Sequence, residues 1–95
     1  MPEKPLLVFF SSERSGPGRR MESLLAHLAR KERTRLDVRR VDVEARPEVA
    51  QRFGVGEVPT LVLVKEKRVV ARIVGRASAP TIERMLEPHL AARAA

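Results

Sequence analysis

Hydrophobic positions along the chain repeat with two different periods, and the two periods alternate. The run LLVFF, between Pro5 and Ser11, is continuously apolar, which is typical of a strand buried on both faces. In the segment MESLLAHLAR, the large apolar residues recur at i, i+3, i+4 and i+7, and the arginines fall outside that stripe. The chain therefore begins with a predicted strand followed by a predicted amphipathic helix.

The rest of the chain continues the alternation. The predicted elements are a valine-rich strand over residues 36–43, a short helix (PEVAQRF) that begins at Pro47 and ends before Gly54, strands over residues 60–64 and 68–74, and a closing helix over residues 79–90. Ser78 is the predicted N-cap of the closing helix, and Pro80 suits its first turn. Three residues separate the last two strands, so we expect them to form an antiparallel hairpin.

The predicted order is β-α-β-α-β-β-α, which places the chain in the α/β class. A helix joins the first two strands, so they should be parallel, and helices should cover both faces of a four-stranded mixed sheet. This is a three-layer α/β/α sandwich. With 95 residues the chain is predicted to be a single domain, with a core over about residues 5–90 and a frayed tail over residues 91–95.

Composition narrows the chemistry. The sequence has no cysteine, which excludes disulfides, thiolate nucleophiles and zinc fingers. The two histidines, His27 and His89, lie far apart without other ligand-type residues around them, so we expect no metal site. No cofactor is expected either. The longest apolar run is too short for a bilayer span or a signal peptide. The expectation is a cytoplasmic protein with no membrane partner.

Positive charge is concentrated in one segment. The formal net charge is +7, and residues 14–40 alone carry nine basic and three acidic side chains. Such a field attracts phosphate groups or an acidic partner, although an arginine-rich surface also serves solubility alone. The three phenylalanines all fall in predicted core positions, so no platform for stacking bases is expected.

Two long segments resemble the thioredoxin family. FFSSERSGPGRRMESLLAHLA is similar to the active-site segment of thioredoxins, and VRRVDVEARPEVAQRFGVGEVPTLVLVKEKRVVARIVGRAS is similar to their second half. The resemblance runs from about Leu6 to Leu90 and implies a thioredoxin-like fold without the additional N-terminal strand and helix of full thioredoxins. Its most specific part is Val58-Pro59-Thr60 followed by the hairpin that ends at Gly75.

The redox residues of that family do not match. Its Cys-Gly-Pro-Cys motif aligns with Ser15-Gly16-Pro17-Gly18, so both sulfurs are missing. The tryptophan that precedes the motif aligns with Arg14, and the buried acid of the preceding strand aligns with Phe9. No base in the local sequence would activate a serine at the first position. The resemblance therefore implies the fold without dithiol chemistry.

The same resemblance points to a binding groove. Pro59 is similar to the family's cis-proline, which leaves the backbone of the preceding residue, here Val58, free to pair with an extended peptide. Gly75 matches a glycine on the same surface, and Arg76 would border the groove. The predicted binding residues are Arg14, Ser15, Gly16, Pro17, Gly18, Val58, Pro59, Gly75 and Arg76. Ser15 is also the predicted cap of the first helix, and the same helix N-terminus is a candidate site for an anion, a role that is compatible with the cap.

Two further positions depart from the family pattern. Arg40 matches a lysine that lies near the buried acid in relatives, and with Phe9 in place of the acid we expect Arg40 to extend into solvent or to pair with Glu13. The hairpin turn carries Glu66-Lys67 where relatives have Asn-Gly, which predicts a longer or a strained loop.

The leading hypothesis is a non-catalytic thioredoxin-like module that holds a peptide or protein partner at the cis-proline groove. Three alternatives stay open from the sequence. They are a phosphate- or nucleic-acid-binding protein that uses residues 14–40, a glutathione-binding relative that uses a serine and the cis-proline, and a KaiB-like regulator, which shares a cysteine-free chain of this size. The sequence leaves the oligomeric state undetermined.

Overall fold

A computed structural model describes residues 4–14 and 16–91. In it, a four-stranded sheet lies between helices. The strands are β1 (Leu6–Ser11), β2 (Asp37–Asp42), β3 (Thr60–Lys65) and β4 (Arg68–Val74), and the helices are α1 (Gly16–Lys31), α2 (Pro47–Arg52) and α3 (Ala79–Leu86). The order of the strands in the sheet is β2-β1-β3-β4, so β1 and β3 are central and β2 and β4 are edges. β1 and β2 are parallel, and the other two pairs are antiparallel. The predicted mixed sheet is confirmed.

Alternation of side chains along the buried central strands produces two cores. Leu7, Phe9, Leu61 and Leu63 contribute to the core that α1 and α3 cover. Val8, Phe10 and Val62 point to the opposite face, where Ala50 of α2 lies in the core. Because α2 has only six residues, several side chains on that second face are only partly buried. They are Leu6, Val41, Val43, Val49, Phe53, Val55, Val58 and Val64.

The closing helix is shorter than predicted. α3 ends at Leu86, and a 3₁₀ turn over Glu87–His89 follows, whereas the sequence indicated one helix over residues 79–90. Pro88 explains the difference, because it has no backbone N–H to donate to the preceding turn and its ring clashes there. At the other end the prediction is confirmed, since the Ser78 side chain accepts a hydrogen bond from the Thr81 N–H at 3.4 Å.

Two irregularities mark the β3–β4 hairpin. The sequence predicted either a longer or a strained loop, and the structure has the strained one. The turn contains only Glu66 and Lys67, and these two non-glycine residues adopt the left-handed region, with φ angles of 52° and 66°. Beyond the turn, the pairing shifts between Leu63 and Val64, which places an extra residue on β4. Val69 and Val70 are exposed beside this bulge.

Candidate functional site

Three chain segments meet at one end of the sheet. Phe10, near the end of β1, pairs with Thr60 at the start of β3, and Thr60 pairs with Val74 at the end of β4. The segment after β1, the Val58-Pro59 segment before β3 and the Gly75-Arg76 segment after β4 therefore leave the sheet at the same end. Topology thus gathers the predicted binding segments around the start of β3.

In the Val58-Pro59 segment, hydrogen bonds fix the residues that follow Val58, while the backbone groups of Val58 have no partner among the described residues. The Val58–Pro59 peptide bond is cis, and Pro59 is buried while Val58 is half-buried. The Pro59 carbonyl accepts a hydrogen bond from the Gly75 N–H at 2.8 Å, and the Thr60 hydroxyl donates to the Glu57 carbonyl at 2.7 Å. Among the residues that the structure describes, no hydrogen bond engages the N–H or the carbonyl of Val58.

Gly75 keeps the neighbouring surface open. Its φ angle is +87°, in the left-handed region that favours glycine, and a Cβ placed there would have no heavy atom within 4 Å. The backbone conformation therefore favours glycine at this position, and no heavy atom of a described residue beyond its chain neighbours would contact a Cβ there.

The loop after β1 supplies the remaining predicted residues. Arg14, Gly16 and Arg76 are exposed, while Pro17 and Gly18 lie in the first turn of α1 by their backbone. Ser15, with its predicted capping role, lies outside the described residues. α1 carries no acidic residue in its first turn. Arg14 precedes the helix by two residues and Arg19 lies at its fourth position, so the charged side chains at this end of the helix include two arginines.

The position of the family's buried acid is part of the core. Phe9 is 2% exposed and belongs to the cluster that contains Met21 and Leu25 of α1. Arg40, which pairs with Phe9 across β1 and β2, forms its ion pair with Glu22 rather than with Glu13. Its Nε atom lies 3.0 Å from Glu22 Oε1 and donates to the Ser11 hydroxyl at 3.3 Å.

Of the two expectations for Arg40, the pairing with Glu13 is wrong for a geometric reason, whereas the side chain is indeed exposed to solvent, at 47%. Glu22 lies on α1, which packs over the face of β2 to which Arg40 points, whereas Glu13 lies in the exposed loop beyond β1. The sequence contained a signal for this, since Glu22 is one position away from the buried stripe residue Met21 and so borders the packed side of the helix.

Neither a cluster of metal-ligating side chains nor a membrane-spanning helix is found among the described residues. No group of three or more histidine, cysteine or acidic side chains is arranged there to hold a metal ion. His27 is exposed on α1, and His89 is half-buried in the 3₁₀ turn rather than in the predicted helix. No helix among these residues is long and apolar enough to cross a bilayer.

Comparison with known proteins gives a consistent set of relatives. The family model described as Thioredoxin matches residues 1–88. A thioredoxin of Mycobacterium bovis is 40% identical over 72 residues, which make up 76% of this chain and 62% of the relative. Thioredoxin 1 of a Nostoc species is 30% identical over 86 residues, 90% of this chain and 80% of its own length. The crystal structure of a thioredoxin from Nicotiana alata superposes with a TM-score of 0.86 at 33% identity, covering 93% of this chain and 75% of that one.

Proposed function

Because the chain belongs to the thioredoxin family yet contains no cysteine, we propose that it is a binding module without dithiol redox activity. Its ligand is an extended segment of a peptide or protein partner, held where the segments around Val58, Gly75 and Arg14 converge. Dithiol exchange requires thiolates that attack and leave, and the chain supplies none. What the fold retains is the surface beside the start of β3.

The observation that carries this proposal is the pair of free backbone groups at Val58. Backbone N–H and C=O groups are strong donors and acceptors, and those near the protein interior are nearly always paired. Val58 is half-buried, and its two groups have no partner among the described residues. An extended chain that pairs with both of them adds a short strand-like ladder, the recognition mode known as β-augmentation.

Exposed arginines at this site favour ligands that carry carboxylates. Arg14 and Arg76 are exposed on the two segments that flank Val58, and neither forms an ion pair with a described residue. A ligand with carboxylates on either side of its pairing residue would complement them. Exposed pairs of this kind contribute about 0.2–1 kcal/mol each, so they select among ligands more than they hold them.

Selection of displayed peptides on the wild-type chain, followed by affinity measurements on two matched variants, tests the proposal. We expect Arg76→Glu to weaken the selected acidic peptides by about tenfold, because it replaces an attraction with a repulsion. Arg84→Glu makes the same charge change at an exposed arginine of α3 and should leave the affinity unchanged. Equal losses in both variants, or no selected peptide at all, would contradict the proposal.

A further inference from the structure

A second unoccupied surface runs along β2, away from the end of the sheet just described. β2 is an edge strand, and no described segment pairs with its outer side. The Asp37 N–H donates to the Pro5 carbonyl at 3.0 Å and the Val43 N–H donates to the Ser11 carbonyl at 3.0 Å, so odd-numbered residues face β1. Backbone groups alternate along a strand, so the N–H groups of Val38 and Arg40 point away from the sheet.

A groove lies beside this edge, between β2 and α1. Phe9, Leu25 and Val38 form its apolar floor, and the small side chains of Ala26 and Ala29 leave it open on the helix side. Its volume is about 260 Å³, whereas an enclosed apolar cavity of about 150 Å³ already accommodates benzene. There is thus room for an aliphatic side chain that enters from a strand added to β2.

The rim of the groove is positively charged. At one end, Glu22 and Arg40 compensate each other at 3.0 Å. Arg19, three residues before Glu22, and Arg30, four residues after Ala26, stand near the same face of α1 and are exposed. Arg39 is exposed on the other face of β2. None of these three arginines forms an ion pair with a described residue. The excess charge of residues 14–40 therefore lies along α1 and β2.

We propose that the free edge of β2 and the adjoining groove bind an extended segment of another protein in which aliphatic side chains alternate with carboxylates. Side chains of an added strand point alternately to the two faces of the sheet. Aliphatic residues on the α1 side enter the groove, and carboxylates on the other side meet Arg39. A second copy of the chain does not fit, because each copy carries a net charge of +7 and both edges would present the same arginines.

A fluorescent octapeptide of alternating leucine and glutamate, acetylated and amidated at its ends, is the probe. Binding is measured by anisotropy at low ionic strength to the wild-type chain and to Arg40→Pro and Arg40→Val. Both variants lose the same guanidinium, but only proline removes the outward N–H, and proline is tolerated at an edge strand in that orientation. We expect Arg40→Pro to bind about fivefold more weakly than Arg40→Val, or weaker still. Circular dichroism checks that both variants fold.

Groove occupancy is tested by charge. Ala26→Glu places a carboxylate at the groove and should weaken the peptide by about fivefold or more. Gln51→Glu makes the same change on α2, across the sheet, and should not. Arg76→Glu, which weakens binding at the start of β3, should leave the affinity for this octapeptide unchanged, so the two sites are tested separately. A peptide methylated on every backbone nitrogen, which has no N–H left to donate to β2, should not bind.

Four outcomes would overturn the proposal. They are equal affinity for Arg40→Pro and Arg40→Val, equally tight binding of an octapeptide made only of glutamate, displacement of the probe by a single-stranded oligonucleotide of the same charge, and a wild-type dimer in sedimentation that Arg40→Pro dissociates. The second and third would indicate a non-specific or nucleic-acid-binding basic surface, and the fourth would indicate a second copy as the occupant.

Discussion

Phe9 closes the position where the family pattern has a buried acid. It is 2% exposed within the α1-facing core, so no carboxylate stands there to accept or donate a proton. We expect Ser15→Cys/Gly18→Cys to give insulin reduction slower than an ordinary thioredoxin by about a hundredfold, because proton transfer by a positioned group contributes roughly that much or more. Adding Phe9→Asp should recover part of the loss if the triple variant folds. Full activity in the double variant would show that the residue at position 9 is unimportant.

Leu63 lies at the centre of the sheet and is 0% exposed. Leu63→Ala should lower the free energy of unfolding by about 2–5 kcal/mol, through lost burial and the cavity left behind. Val69→Ala, at a position 47% exposed on β4, should change it by less than about 0.5 kcal/mol. Urea titrations of both variants make the comparison, and similar values for the two would show that the core is placed incorrectly.

Arg35 connects the turn after α1 to Ala91, which follows the 3₁₀ turn. It pairs with Glu32 through two hydrogen bonds of 3.0 and 2.9 Å and donates to the Ala91 carbonyl at 2.9 Å. The hydrogen bond to Glu32 raises the pKa of the guanidinium above its ordinary value, which outweighs the opposing effect of burial. While the Glu32 carboxylate stays ionised, this stabilisation is present below the ordinary arginine pKa, and it is lost as pH rises through the raised pKa of the folded state.

Removing only Glu32 from the Glu32–Arg35 ion pair should lower the melting temperature more than removing both residues. Glu32→Leu leaves a buried guanidinium whose other carboxylate, Glu87, is exposed and 3.7 Å away, so we expect a lower melting temperature. The double variant Glu32→Leu/Arg35→Met should melt at a higher temperature than Glu32→Leu alone, because the buried guanidinium is gone and the Glu87 carboxylate that loses it is exposed to water. Calorimetry decides, and a double variant that melts below the single one would contradict this interpretation.

Among the elements, the β3–β4 turn carries avoidable strain. Glu66 and Lys67 both adopt positive φ angles, which cost about 1–2 kcal/mol per residue where no glycine is present. Glu66→Asn/Lys67→Gly should therefore raise the free energy of unfolding by about 1–2 kcal/mol. Glu66→Ala/Lys67→Ala removes the same charges without relieving the backbone and should give no gain. Equal stabilisation in both variants would assign the effect to charge.

The elements were largely predictable because each follows from a local pattern. Periodicity located the four strands and three α-helices of residues 4–14 and 16–91, and Pro47, Gly54 and Ser78 marked boundaries that the structure places within one or two residues. The misjudged end of α3 came from underweighting Pro88 in an otherwise regular pattern. The bulge near Val64 was not predictable, because it depends on how two strands fit across the sheet rather than on either sequence alone.

For the whole molecule, topology explains which parts of the site the sequence could indicate. The order of strands brings the ends of β1 and β4 to the start of β3, so the convergence of three segments follows from element order once the family is recognised. The pair formed by Arg40 and Glu22 and the groove beside β2 arise from packing between distant segments. The composition indicated these two features only indirectly, through the net positive charge of residues 14–40.

Amide hydrogen exchange at Val58, with and without a saturating selected peptide, tests the central claim most directly. Gly75 provides an internal reference, because its N–H already donates to the Pro59 carbonyl at 2.8 Å and should be protected in both states. The Val58 N–H, which has no partner among the described residues, should exchange rapidly in the free chain and become protected when the peptide binds. Unchanged exchange at Val58 under saturation would mean that the peptide does not pair with this backbone, and would contradict the binding-module account.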